Sequence, residues 1–357
     1  MLDQTFCASS IHRPEHVLHT DFFFHDIRIS CQVNHPALLK VVAALLGSHP
    51  VCDLPRGKAD YHIYCADEKT PFPVPLPLAR ARMGKTQLLT GTYLQYYRGT
   101  EDHHEYQSYT AQPGVNAAAL SVIDAARHLA LTQLEAPEHY NPAFLYRYVL
   151  LLALGRLVHP YGFEPCHAAA IRAPWDQQQG ALIVGSSGSG KTTLSLGCAL
   201  AGCGLLGDDL VMLRYDQVAA TIKAYSIMPE IAIRSGSLAL WEELSFLQAY
   251  PVDARDKRYC PIEQIRPGAA CPQVPLRVLI FPQLITGTQS TVIELSKAQT
   301  LQALIEECVS KRSVYPEEYQ QLFSLLSILT EQAPGYRLNI ARGSTDGPEL
   351  VCSLFKR

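Results

Sequence analysis

Eight consecutive residues, Gly185, Ser186, Ser187, Gly188, Ser189, Gly190, Lys191 and Thr192, fit the pattern G-x-x-x-x-G-K-[ST] at every fixed position. Glycines at those places let a backbone fold its N–H groups inward around an anion, which is what the oxygens of a triphosphate require. An apolar run, Ala181 to Val184, leads into the loop, and a helix-forming run, Thr193 to Ala201, leads out of it until Gly202 stops it. The N-terminus of that helix adds partial positive charge. Lys191 is expected to reach the β- and γ-phosphates, and the Thr192 hydroxyl to sit on a magnesium ion, with Thr193 beside it. The expected cofactors are ATP and Mg2+.

Seventeen positions after Lys191 come Asp208 and Asp209, preceded by Leu205, Leu206 and Gly207. One helix and one turn fill that interval, so the chain is expected to return beside the strand Ala181 to Val184 with both carboxylates facing the phosphates. One carboxylate ligates magnesium and the other accepts a proton from an attacking hydroxyl. Farther on, Glu230 is a candidate third magnesium ligand and Arg234 a candidate phosphate contact. Arg255, Asp256, Lys257 and Arg258 form a charged run in a turn-rich stretch; Lys257 and Arg258 are candidates to close over the nucleotide and neutralise transferring charge. Asp102, His103, His104 and Glu105 have the composition of a metal cluster. Adjacent histidines on an extended strand point to opposite faces, so these are assigned no role.

The elements that must hold these groups are legible in outline. Residues 1–150 alternate short apolar runs with turns, including the prolines Pro71, Pro73, Pro75 and Pro77. Tyr61 to Cys65 and Gln87 to Tyr97 read as strands, and Asn116 to Leu134 has the apolar spacing of a helix. A helix from Asn141 ends at His159 and Pro160, where the proline removes a backbone donor. Residues 151–357 read as α/β, with strands at Cys166 to Ile171, Ala181 to Val184, Leu205 to Leu206, Leu210 to Leu213, Arg277 to Phe281 and Tyr336 to Ile340. Ser296 and Gln299 mark a capping box, and Glu317 to Leu329 an amphipathic helix. The fold class is therefore α/β: a phosphate-loop domain over 151–357 preceded by a smaller α+β domain over 1–150.

Composition narrows the function class. In a chain of 357 residues, 30 basic against 33 acidic side chains leave a formal charge of −3, with no electrostatic footprint for nucleic acid or an anionic membrane. The 11 cysteines include no C-x-x-C pair and read as core residues of a reducing compartment. The first ten residues lack the basic start and apolar centre of an export signal, so a cytoplasmic location is expected.

His167, Ala168, Ala169 and Ala170, then a strand, the GSSGSGKT loop, a helix and Gly207-Asp208-Asp209 resemble, in that order, the catalytic domain of HPr kinase/phosphorylase and its kinase relatives. The likeness covers roughly residues 160–342 and is strongest from His167 to Asp209. It implies the fold shared with phosphoenolpyruvate carboxykinase, with Asp208 as general base, Asp209 as its magnesium-side partner and His167 as an active-site histidine. The bifunctional members follow the loop lysine with Ser-Glu where this chain has Thr192 and Thr193, and their L-E-I-R-G-L-G signature has only an echo in residues 229–236. The chain looks more like the HPr-kinase-like proteins of modified-peptide pathways, such as lasso-peptide kinases. The resemblance thus implies transfer of a γ-phosphoryl group to a Ser or Thr hydroxyl of a peptide or protein, with residues 1–150 recognising that substrate. A small acceptor such as free serine or a sugar, a nucleotide-binding regulator without transfer, and assembly into a homo-oligomer all stay open.

Overall fold

The computed structural model describes residues 17–47, 49, 52–66, 94–98, 105–110, 118–124, 126–135, 150–228, 230–253, 256–309 and 316–356. Outside them lie the proline run, Asp102 to His104, residues 87–93 and 141–149, and Arg255. The chain is a mixed α/β protein that divides into two compact units, Met1–Gly162 and Phe163–Arg357.

The first unit contains β1 (Leu18–Phe24), β2 (Ile27–Val33), α1 (Pro36–Leu46), β3 (Gly57–Ala66), β4 (Leu94–Arg98), β5 (Glu105–Thr110), β6 (Ala118–Asp124), β7 (Leu129–Glu135) and α2 (Leu151–Val158). Its strands form one sheet in the order β1-β2-β3-β7-β6-β5-β4. Alternate residues of β2, namely Ile27, Ile29, Cys31 and Val33, are buried, as are Leu38, Val42 and Leu46 along one face of α1, which packs on β1 and β2. The helix expected over 116–134 is instead the antiparallel hairpin of β6 and β7. Asp124 Oδ1 accepts the Arg127 N–H at 3.0 Å and His128 adopts φ 53°, which makes the turn. Residues 121–124 are all buried, so the period-two signature of a strand is missing. Helix α2 packs on this hairpin, within the first unit.

The second unit begins with β8 (Glu164–Cys166), β9 (Ala168–Arg172), β10 (Gly180–Val184), α3 (Lys191–Leu200), β11 (Gly204–Gly207), β12 (Val211–Asp216) and β13 (Thr221–Ser226). A hairpin follows, β14 (Glu230–Arg234) and β15 (Lys257–Pro261), with α4 (Ser235–Leu238) between its strands and α5 (Ile262–Ile265) after it. The remainder is β16 (Gln273–Ile285), β17 (Thr291–Leu295), α6 (Lys297–Leu304), α7 (Pro316–Gln332), β18 (Gly335–Ala341) and α8 (Gly347–Leu354). Nine strands make the main sheet, running β11-β9-β10-β16-β13-β12-β8, with β18 pairing β16 and β17. Ser296 and Gln299 form the capping box of α6.

Both faces of this sheet are covered, which explains why its strands read as unbroken apolar runs. Ala181 and Ile183 face a core shared with Leu194, Leu196 and Val351 of α3 and α8; Leu182 and Val184 face one shared with Leu322, Leu326 and Leu329 of α7. Helix α3 therefore starts at the loop on a fixed bed. Its other end is also fixed: Cys203 N–H bonds Cys198 O at 2.9 Å, Gly202 takes φ 102°, and Arg266 donates to Ala199 O, Gly202 O and Cys203 O at 2.7, 3.0 and 2.8 Å. Arg266→Met should leave those three carbonyls without their cation and lower stability by about 2 kcal/mol, a drop of a few degrees in a thermal melt. An unchanged melting temperature would show that this cap contributes nothing.

Among the described residues no helix is long and apolar enough to cross a membrane.

Candidate active site

The site is built around an opening in a β-ladder. Residues 164–172 and 204–213 run antiparallel: Arg172 faces Gly204, Ala170 faces Gly207, and beyond a gap Cys166 faces Val211 and Glu164 faces Leu213. Between those rungs, residues 167–169 and 208–210 lie opposite one another with no rung recorded between them. A backbone carbonyl freed from the ladder takes a side chain instead: His167 Nδ1 lies 2.8 Å from Asp209 O. A carbonyl only accepts, so Nδ1 carries the proton and Nε2 of the neutral ring is an acceptor.

The loop of residues 185–192 reaches the same place because β9 pairs antiparallel with β10, with Ala168 opposite Val184. The expectation that the strand before Asp208 lies directly beside β10 is corrected here: β9 stands between β10 and β11. The short connection 173–179 joins β9 and β10 as an antiparallel hairpin, so β9 occupies that edge of β10. The consequence is that His167 enters the sheet between the loop and the two aspartates.

Within the loop, a Cβ at Gly185 would meet Ser189 Oγ at 2.7 Å, and Gly190, at the start of α3, has φ 100°. Neither place accepts a larger residue without strain. Lys191 is buried, and its ammonium donates to Gly185 O at 2.5 Å and Ser186 O at 3.1 Å. Thr192 Oγ1 donates to Asp208 Oδ2 at 3.0 Å. Asp208 is 3% exposed, also accepts the Ala232 N–H at 3.3 Å, and does not line the cleft. Asp209 does line it, with its side chain 37% exposed. Its carboxylate is 3.2 Å from His167 Nδ1 and 3.4 Å from Lys257 Nζ. Burial pushes the Asp209 carboxyl up, but the charges of Lys257, of His167 when its ring is protonated, and of Lys191 outweigh it and hold the group below its ordinary 3.8. Asp209 is thus ionised throughout the neutral range.

The cleft encloses about 160 Å3 and is lined by Ser186, Ser187, Gly188, Gly190 and Lys191 to Thr193 of the loop region, with His167, Asp209, Ala232, Arg234, Ser237, Lys257 and Leu284. Small-molecule pockets typically run to roughly 300 Å3 or more, so the enclosed part has room for only a small group and a larger ligand would extend over the open side. Arg234 and Lys257 face each other across the β14–β15 hairpin and so share a face. Like charges directly opposite repel, and an anion between them relieves that cost. Arg258, one residue on, turns away: its Nη1 donates to Ser235 Oγ at 2.8 Å, and Asp256 accepts from Ser235 N and Oγ at 3.2 and 2.6 Å. Of the expected pair of closing cations, only Lys257 lines the cleft.

Glu230 is likewise not brought in. It opens β14, opposite Pro261, and Arg234 ends it. Arg234 lines the cleft and Glu230 does not, so Glu230 is left out of the proposed magnesium site. Ser189 belongs to the loop, but its hydroxyl is buried against Gly185 and has no recorded hydrogen bond. Ser237, Leu284 and the Ala232 N–H were missed from sequence, because each lies alone in its element with no spacing to mark it.

The oxygen donors beside the loop suit magnesium, a hard cation that keeps several waters and takes one or two carboxylates together with phosphate oxygens. Thr192 and Asp208 lie under the loop and Asp209 stands at its side. Among the described residues no group of three His, Cys, Asp or Glu side chains gathers as a metal site.

No family model matches the chain, and no curated protein does. Among solved structures, the HPr(Ser) kinase/phosphatase from Coxiella burnetii is similar at 14% identity, over 54% of this chain and 88% of that one, with a TM-score of 0.32.

Proposed function

We propose that the chain binds ATP with magnesium and transfers the γ-phosphoryl group to a Ser- or Thr-type hydroxyl of a peptide or protein. What carries this reading is the juxtaposition of a complete phosphate loop with two aspartates in different settings, one locked under Thr192 and one open to the cleft beside a histidine. Backbone amides of residues 185–191, Lys191 and Arg234 bind the phosphates. The metal supplies charge neutralisation between phosphate oxygens when bound, and Thr192 with Asp208 would hold it.

The acceptor hydroxyl approaches from the side of His167 and Asp209. Its proton passes to His167 Nε2, while Asp209 stabilises the imidazolium that results. As the new oxygen–phosphorus bond forms, the bond to the β-phosphate oxygen breaks, and the electron pair leaves with ADP. In this proposal Asp209 faces the acceptor and Asp208 the metal, the reverse of what the family resemblance implies. Asp208 does not line the cleft, and its Oδ2 is already engaged by the Thr192 hydroxyl. Acceptor selection is assigned to the first unit, because the cleft wall holds few groups beyond those that face phosphate.

The decisive assay incubates the full chain with γ-labelled Mg-ATP and serine-containing peptides, with free serine and a sugar as parallel acceptors. Label on a peptide hydroxyl, matched mole for mole by ADP, is expected. Label on the small acceptors alone would redirect the proposal to a small-molecule kinase. Nucleotide bound without turnover would reduce the chain to a regulator.

A further inference from the structure

Ser237 has no part in the roles assigned so far. Its Oγ stands 2.7 Å from Thr193 Oγ1, both residues are half-buried, and both line the cleft. Two hydroxyls bring two protons, and a bond between them uses only one, whichever group donates. The other proton needs an acceptor. The wall where it sits carries Arg234, three residues before Ser237, and Lys191, two before Thr193. The acceptor drawn to that neighbourhood is the oxygen of an anion.

The same bond has a mechanical role. Ser237 lies in α4, the short helix that continues directly from Arg234 at the end of β14. On its outer side this junction is fastened to the second hairpin strand through Ser235, Asp256 and Arg258. On the inner side the Ser237 hydroxyl meets the first turn of α3. We infer that the Thr193–Ser237 pair donates its remaining proton to a phosphate oxygen of the bound nucleotide, and that the bond between the two hydroxyls holds Arg234 over the loop. Ser237 is thus a phosphate-binding and positioning residue. This rests on the proposed nucleotide site.

The test is calorimetric titration of the purified full chain with Mg-ATP. Ser237→Ala should weaken binding about ten-fold or more, on the scale of one hydrogen bond to a charged group. Ser237→Thr keeps the hydroxyl and should return to within about two-fold of the unchanged chain. Thr193→Val should match Ser237→Ala, and the double variant should be no weaker than either alone, because the two groups act as one unit. Unchanged affinity in Ser237→Ala overturns the inference, as does failure of Ser237→Thr to restore it. Losses that multiply in the double variant overturn it too. If the unchanged chain itself binds no Mg-ATP, the nucleotide reading falls first and takes this inference with it.

Discussion

Replacing Lys191 by alanine is expected to lower phosphoryl transfer about a thousand-fold or more, the cost of removing a preorganised cation from a water-poor site. Lys191 is 6% exposed and its ammonium is held by the carbonyls of Gly185 and Ser186, so it is fixed in place before any ligand arrives. Its removal takes away a cation of the cleft and also two bonds that brace the loop. Both losses act in the same direction. Single-turnover transfer from labelled Mg-ATP reads the first, and titration with Mg-ATP reads the second. Activity kept within about ten-fold of the unchanged chain would put the loop outside the reaction, since each factor of ten is only about 1.4 kcal/mol of barrier.

The second large effect separates the two aspartates. Asp209→Asn should leave Mg-ATP binding measurable and lower transfer by about a hundred- to ten-thousand-fold, the usual range for disabling a proton-transfer pair. Asn keeps the shape but loses the charge that supports an imidazolium on His167. Asp208→Asn should instead weaken Mg-ATP binding itself, because this carboxylate is the charged partner of Thr192 beneath the loop. If Asp208→Asn binds Mg-ATP normally and fails only in transfer, the base returns to Asp208 and the assignment made here is wrong. The acid limb has a definite sign. Because the Asp209 pKa is depressed, its ion pairs contribute fully above about 3.8, the ordinary value, and are lost as pH falls through the lowered one.

The sequence made the loop legible because its chemistry demands fixed residues at fixed spacing, and spacing survives without any knowledge of packing. The flanking strand and helix were readable for the same reason. Long-range order was harder. Nothing local in residues 168–172 says that this strand inserts between β10 and β11; only the short connection to β10 does so, and its effect is visible only once the strands are paired. The β6–β7 hairpin was hidden because burial on both faces erased its alternation, and its turn uses Asp124 and His128 rather than Gly or Asn. Arg258 and Lys257 are neighbours in sequence, yet strand alternation sends one into the cleft and the other to Ser235. Ser237 had no motif at all, since its partner lies 44 residues away.

The opened ladder between residues 164–172 and 204–213 also bears on which changes this chain can tolerate. The rungs on the two sides of the opening, Ala170 with Gly207 and Cys166 with Val211, fix its length at three residues on each strand. That window holds His167, Asp208 and Asp209, so the site constrains its side chains. Its length is constrained too, since inserting or deleting one residue slides the strand by a step and turns every following side chain to the other face. Asp209 would then exchange places with a neighbour, and His167 would lose the carbonyl that sets its tautomer.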